Sequence, residues 1–265
     1  MKPLAVSDFT VVSALGHGRA ATLSALQGGL TGLKKQTFET ASIDTWLGVV
    51  EGADDVKLPA GLTEHDCRNN RLAELGLRAD GFGERVRAAA ARYGAARVGV
   101  FLGTSTSGIL QTEIAYRHRD AATGALPGWL HYGTTHNTYS VARYVREALA
   151  LEGPAYVVST ACSSSAKVFA AAERMIRAGI VDAAVVGGVD SLCMTTLYGF
   201  KSLELVSSDI CRPFDANRDG LSLGEAAAFA LVEKDCAAPA AWLLGAGESS
   251  DGHHMSSPHP EGAGA

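Results

Sequence analysis

Short apolar runs that alternate with helical patterns constrain the fold of this chain more than any other feature. The clearest runs lie at residues 97–103, 155–158, 183–186 and 226–232. They are apolar at successive positions instead of at every second one, which is typical of strands buried on both faces. Helical stretches separate several of these runs. The sequence therefore predicts an α/β fold with a parallel or mostly parallel sheet that helices cover on both faces.

Length and composition narrow the class of protein. The chain has 265 residues, of which 47% are hydrophobic, so it can bury a large core in one or two domains. A net charge of -5 argues against nucleic-acid binding, and no apolar run is long enough to span a membrane. The first residues lack the apolar core of a signal peptide. The five cysteines form no CxxC pair, so we expect reduced thiols and a cytoplasmic protein.

Cys162 is the strongest candidate for a reactive residue. It follows the apolar run 155–158 after a hinge of small polar residues, and a helical pattern that ends near Gly179 comes next. Cys162 should thus lie at or just before the first helical residue. The unpaired N–H groups there carry partial positive charge and stabilise a thiolate, as covalent catalysis requires. A buried structural cysteine is the alternative, and position alone does not decide between the two.

Neighbouring segments carry a family resemblance. The segment 159–165, Ser-Thr-Ala-Cys-Ser-Ser-Ser, resembles the nucleophile motif of the β-ketoacyl synthases, which are condensing enzymes of the thiolase superfamily. Further segments resemble that family in family order. They are Gly-Thr-Ser-Thr-Ser-Gly at 103–108, Gly-Gly-Val-Asp at 187–190, Arg-Pro-Phe-Asp at 212–215, Arg-Asp-Gly at 218–220, Gly-Glu at 224–225 and His-Met-Ser-Ser-Pro at 254–258. The run 202–208 and the paired alanines 226–227 look more like the synthases of bacterial aryl-polyene pathways.

The resemblance implies a thiolase-like fold, in which two related α/β halves form α-β-α-β-α layers. Residues 1–236 correspond to the N-terminal half and residues 237–265 to the opening of the C-terminal half. The family's catalytic histidines lie in the remainder of that second half. None of the eight histidines here stands in a His-Gly-Thr-Gly-Thr or Gly-His-Thr context. We therefore expect the working enzyme to have more sequence than this chain or to use a partner.

The resemblance also implies a mechanism. Cys162 would accept an acyl group from acyl carrier protein, and its own N–H would supply half of an oxyanion hole. Decarboxylative condensation with malonyl carrier protein would follow, although poorly without the histidines. Thr106 matches the family position that limits or admits acyl chains. Thr160 and Ser163, beside the nucleophile, are the other predicted substrate-binding residues.

Two other functions fit these residues less well, and the resemblance also implies a partner. A non-catalytic partner of the chain-length-factor kind shares the fold, but such partners usually replace the cysteine that is present here. A thiolase acting on coenzyme A thioesters is disfavoured by the segment 212–225, which resembles carrier-protein-dependent synthases. A dimer is expected through the strand that precedes Cys162, with the same chain or a related ketosynthase or chain-length-factor chain as partner.

No cofactor and no metal are predicted. His253, His254 and His259 lie in a Gly/Pro-rich segment that lacks a convergent set of Cys or carboxylate ligands. Two expectations concern charged residues instead. Asp190 should accept hydrogen bonds from nearby backbone. A structural ion network near the site should involve Arg212, Asp215, Arg218, Asp219 and Glu225.

Overall fold

The computed structural model describes residues 2–254 and 257–264. Its strands are β1 (Leu4–Ser13), β2 (Gly16–His17), β3 (Lys34–Lys35), β4 (Trp46–Gly48), β5 (Val98–Gly103), β6 (Ala155–Val158), β7 (Ala183–Asp190), β8 (Leu223–Gly224), β9 (Ala226–Glu233) and β10 (Ala241–Leu243). Its α-helices are α1 (Arg19–Gln27), α2 (Arg68–Arg78), α3 (Phe82–Tyr93), α4 (Ile109–Arg117), α5 (Ser140–Ala148), α6 (Ser164–Arg177) and α7 (Met194–Ser202).

The main sheet is mixed, with the strand order β10-β1-β9-β7-β5-β6 and β2 attached to β1. Strand β5 runs parallel to β6 and to β7. The remaining pairs of this sheet, from β7–β9 to β1–β10, are antiparallel. The prediction of a mostly parallel sheet is therefore wrong. Continuous apolar runs report that both faces of a strand are buried, and they carry no information about its direction.

Helices cover both faces of this sheet, as predicted. Helices α2, α3 and α5 pack on one face, where Leu72, Phe82 and Tyr144 are buried. Helix α6 packs on the other face through Val168 and the apolar positions that follow it at helical spacing. The start of α6 is thus held against the middle of the sheet. None of the described helices is long and apolar enough to cross a membrane.

A smaller layer lies beside the main sheet. Strands β3, β4 and β8 form a three-stranded sheet, and Leu47, Leu110 and Leu197 join β4, α4 and α7 in one apolar cluster. Helices α4 and α7 were not predicted from the sequence. Strand β10 lies beyond the predicted half boundary at 236/237, yet it pairs with β1 of the main sheet.

Candidate functional site

Cys162 stands where the sequence places it. Strand β6 ends at Val158, Ala161–Ser163 form a 3₁₀ turn, and α6 begins at Ser164. Cys162 therefore lies just before the first α-helical residue. All five cysteines are within the described residues, and Cys162 is the exposed one. Its thiol is open to a reagent or substrate from solution.

Two of the other cysteines are less suited to react. Cys67 and Cys193 are buried. Burial raises the pKa of the Cys67 thiol to about 12 and also raises the pKa of Cys193, because a thiolate is poorly solvated in the core. Both therefore stay protonated at neutral pH, and a thiol is a much weaker nucleophile than a thiolate. Exposure thus distinguishes Cys162 from these two.

The turn that carries Cys162 has an unusual backbone. Ala161 has a φ of 52°, which is rare for a residue with a Cβ. Its carbonyl oxygen accepts hydrogen bonds from the Ser164 hydroxyl at 2.6 Å and from the Ser105 hydroxyl at 3.1 Å. The Thr160 N–H in turn donates to the Ser164 hydroxyl at 2.9 Å. Such a conformation persists only where its surroundings hold it, and these hydroxyls do so.

Glycines allow the first turn of α6 to lie directly on the sheet. A Cβ at Gly103 of β5 would stand 2.4 Å from the backbone nitrogen of Ser165. A Cβ at Gly188 of β7 would stand 2.6 Å from the Ser165 Cβ. Any larger side chain at these two positions would push the helix start, and the turn before it, away from the strands.

A cavity of about 290 Å³ opens beside the thiol, and Cys162 and Thr106 both line it. Thr160 and Ser163 are exposed and are not among its lining residues. Their hydroxyls lie 3.0 Å apart, and Ser163 donates to the Thr160 carbonyl at 3.0 Å. The structure thus brings two of the four predicted site residues together at the cavity and leaves the other two exposed and outside its lining.

Asp190 fixes the loop that carries Thr106. One carboxylate oxygen accepts the backbone N–H groups of Ser105 at 2.6 Å and Thr106 at 2.9 Å. The same oxygen accepts the hydroxyls of Thr104 and Thr106, each at 3.0 Å. The predicted role of Asp190 as a backbone acceptor is confirmed. The Thr106 hydroxyl also accepts the Ser191 N–H at 3.0 Å, so protein groups occupy it on both sides.

The ion network near the site differs from the predicted one. Glu225 is buried and pairs with Arg68 of α2, at 2.6 and 2.7 Å. Within the described part of the chain, Arg212 has its carboxylate partner in Asp209, at 3.9 Å. Arg218 donates to the Asp215 carbonyl. The prediction is therefore wrong for the exposed segment 212–219, whose contacts are mainly local turn contacts. Arg68 is 157 positions away from Glu225, beyond the reach of local patterns.

The Glu225 carboxylate reaches the cavity wall. Its Oε2 accepts the Leu192 N–H at 3.1 Å, and its Oε1 accepts the Val50 N–H at 3.0 Å. Leu192 lines the cavity, and so does Leu223, two positions before Glu225. The buried ion pair thus ties α2 and the segment after β4 to the wall beside Cys162.

The helical part of the cavity wall was not predicted from the sequence. Thr196 and Phe200 of α7 line the cavity. The start of α7 is held by Glu113 of α4, which accepts the N–H groups of Met194 at 2.9 Å and Thr195 at 2.6 Å. A carboxylate at a helix start stabilises it as a local cap does. No nearby residue of the sequence signals this cap, because Glu113 lies 81 positions before Met194.

The histidine-rich end of the chain is described in part. Met255 and Ser256, within the segment 254–258, lie outside the described residues. The rings of His253 and His259 meet edge to face with their centroids 5.0 Å apart. Over residues 2–254 and 257–264, no group of three His, Cys, Asp or Glu side chains is placed to hold a metal ion.

Comparison with known proteins finds a matching family profile and several related sequences. The family profile described as "Beta-ketoacyl synthase, N-terminal domain" matches residues 81–238. Nodulation protein E of Rhizobium meliloti is 33% identical over 175 residues, which cover 63% of this chain and 43% of that protein. The 3-oxoacyl-[acyl-carrier-protein] synthase 2 of the same species (strain 1021) is 36% identical over 129 residues, or 43% and 31% of the two chains. The chain thus matches less than half of the length of these relatives.

Solved structures agree in fold. The ketosynthase (ApeO) in complex with its chain length factor (ApeC) from Xenorhabdus doucetiae provides a chain with a TM-score of 0.83 and 34% identity. The match covers 99% of this chain and 65% of that one. A β-ketoacyl synthase from Burkholderia phymatum STM815 has a TM-score of 0.71 at 25% identity, covering 89% and 60%. The predicted thiolase-like α/β fold is confirmed.

Proposed function

Because this chain belongs to the β-ketoacyl synthase family, we propose that Cys162 is its acyl-accepting nucleophile. The observation that carries the proposal is the exposed thiol at the start of α6, open to a cavity of about 290 Å³. In this proposal the cavity receives the acyl chain. Since the Thr106 hydroxyl is already bonded to Asp190 and Ser191, Thr106 acts there through its bulk and not as a hydrogen-bond donor to substrate. Thr160 and Ser163, which are exposed and do not line the cavity, are the other proposed substrate-binding residues.

The first step is acyl transfer. The Cys162 thiolate attacks the carbonyl carbon of an acyl thioester, and the new S–C bond leaves an oxyanion on the former carbonyl oxygen. The oxyanion collapses and expels the carrier thiolate, which takes up a proton. The Cys162 N–H stabilises the charge on the oxyanion as one preorganised donor. Removing such a donor from an enzyme typically costs about 10²–10³ in rate.

The second step is the condensation. Loss of carbon dioxide from a malonyl thioester leaves a carbanion, which attacks the acyl-cysteine carbonyl and releases the Cys162 thiolate. This step needs donors for the malonyl thioester, which the family supplies from histidines in its second half. The chain matches 43% of Nodulation protein E. We therefore assign the condensation to a longer protein or to an assembly that contains these histidines. Residues 1–236 act as the first half in this proposal, and residues 237–265 open the second.

A chain-length-factor role is the second candidate. The complex from Xenorhabdus doucetiae joins a ketosynthase to such a factor, and the family resemblance implies that factors of this kind share the fold. Exposed Cys162 beside the cavity favours the catalytic role, because a partner that only shapes a pocket has no use for an accessible nucleophile.

The proposed partners are acyl carrier protein, with its acyl and malonyl groups, and a second chain of the same fold. Strand β6 is one edge of the main sheet formed by the described residues, and its own residues are only partly buried. An unpaired strand edge is a ready template for another strand. This supports a dimer through β6, either with the same chain or with a related ketosynthase or chain-length factor. The aryl-polyene pathway is the proposed setting on the resemblance of residues 202–208.

Mass spectrometry tests the proposed nucleophile. The chain is incubated with acyl carrier protein that bears an acyl thioester, and the intact protein is weighed. We expect one acyl mass on the wild type, none on Cys162→Ala, and an unchanged level on Cys211→Ala, in which a partly buried thiol is removed as a matched control. Acyl mass on Cys162→Ala, or none on the folded wild type, would contradict the proposal.

A further inference from the structure

The hydroxyl of Ser105 connects the two loops of the candidate site. Ser105 lies between Thr104 and Thr106 on the loop that Asp190 holds, and its side chain donates to the carbonyl of Ala161 at 3.1 Å. Both residues line the cavity beside Cys162. The hydrogen bond spans 56 positions of sequence and joins the loop after β5 to the turn after β6.

The accepting carbonyl belongs to the same peptide group as the Cys162 N–H. The described chain has no cis peptide bond, so the C=O of Ala161 and the N–H of Cys162 point in opposite directions within one rigid plane. Whatever holds the carbonyl also sets the direction of the N–H. The Ser105 and Ser164 hydroxyls both donate to this carbonyl.

We propose that Ser105 is a positioning residue that orients the Cys162 N–H as an oxyanion donor during acyl transfer. The proposal rests on the proposed function of Cys162. Ser105 does not touch the reacting atoms in this role. Its hydroxyl fixes a peptide plane whose residue Ala161 has a φ of 52°, a conformation that needs support. It also polarises that peptide, because hydrogen bonds in a chain strengthen one another, and this makes the N–H a stronger donor.

The chain offers a clean variant for this test. In Ser105→Ala the hydroxyl is lost, whereas the backbone N–H of position 105 still donates to Asp190 and keeps the loop in place. Ser105 is exposed, so the smaller side chain leaves no buried void. Ser105→Thr keeps a hydroxyl and serves as the rescue variant. Ser7→Ala is the matched control, because its hydroxyl also donates to a backbone carbonyl, that of Leu231 at 3.2 Å in the β1–β9 pair.

Two reactions of the same thiol separate positioning from a general structural role. Acylation by a hexanoyl thioester of N-acetylcysteamine forms an oxyanion, whereas alkylation by iodoacetamide displaces iodide at a saturated carbon and forms none. We expect Ser105→Ala to slow acylation about three- to tenfold, as for one lost hydrogen bond, and to change alkylation by less than about twofold. Ser105→Thr and Ser7→Ala should both stay within about twofold of the wild type in both reactions.

Several outcomes would overturn the inference. Acylation of Ser105→Ala at the wild-type rate would show that the hydroxyl does not orient the donor. An equal loss in both reactions would assign Ser105 to the general exposure of the thiol, and failure of Ser105→Thr to rescue would remove the hydroxyl as the cause. If the wild type alkylates but does not acylate, the proposed function of Cys162 fails, and the inference fails with it.

Discussion

Replacing Glu225 by glutamine tests how strongly the buried ion pair holds the cavity wall. Each carboxylate oxygen accepts two hydrogen bonds. Oε1 accepts from Arg68 Nη2 at 2.6 Å and from Val50 N at 3.0 Å, and Oε2 accepts from Arg68 Nε at 2.7 Å and from Leu192 N at 3.1 Å. All four partners are donors. A glutamine has one acceptor oxygen, so in either amide orientation its NH₂ group faces two donors that have lost their acceptor.

The size of the effect follows from the burial of the pair. The Glu225 side chain is 0% exposed and that of Arg68 is 5% exposed, so water cannot replace the lost contacts. Removing one member of a buried pair typically destabilises a protein by about 3–5 kcal/mol. Arg68 keeps a second carboxylate, Asp54 at 2.6 Å, which is 79% exposed. We therefore expect Glu225→Gln to cost about 3 kcal/mol, at the lower end of that range.

Urea unfolding at neutral pH measures this loss. At a slope of roughly 3 kcal/mol/M, the midpoint should fall by about 1 M with the slope unchanged. Arg68→Met and the double variant complete a thermodynamic cycle. The double variant should lose about 1–3 kcal/mol less unfolding free energy than the two single variants lose in sum. A loss below about 1 kcal/mol for Glu225→Gln, or additive single effects, would refute the argument that this pair is a coupled buried network.

Three further predictions concern the site and its support. Gly103→Ala should destabilise the chain by roughly 1–3 kcal/mol in urea unfolding, because its Cβ would meet Ser165. Gly128→Ala is the control, because a Cβ there meets nothing within 4 Å. Equal effects of the two substitutions would contradict the packing argument. Asp190→Ala should lower the free energy of unfolding by roughly 2 kcal/mol and slow acylation of Cys162, because the buried Thr106 N–H loses its acceptor. A variant with the stability and acylation rate of the wild type would contradict this. His65 is buried, and burial lowers its pKa below 6.5 against the opposing effect of Glu147. The His65 ring therefore takes up a proton more readily in the unfolded chain than in the folded chain. The stability of the wild type should then fall as pH drops below 6.5, and that of His65→Gln should depend less on pH. Identical pH profiles of stability for the two proteins would refute this.

The sequence was sufficient wherever the deciding contacts are local. The strand 155–158, the helix that follows it and the position of Cys162 just before that helix all emerge from apolar spacing over a few residues. Asp190 was also predicted as a backbone acceptor, because a carboxylate at the end of a buried strand faces a neighbouring loop, but its donors, Ser105 and Thr106, lie 85 and 84 positions away and only the fold identifies them. Motif order then predicts the family to which the profile match assigns residues 81–238.

Tertiary structure decided what depends on residues far apart in the chain. Strand direction differs from the prediction because burial on both faces looks the same for parallel and antiparallel strands. Helix α7 and its cavity residues Thr196 and Phe200 went unpredicted, because the carboxylate that holds its start comes from Glu113 of another helix. Arg68 was missed for the same reason. A local pattern can specify a turn and a nucleophile, whereas the walls around that nucleophile form only when distant side chains meet in the folded chain.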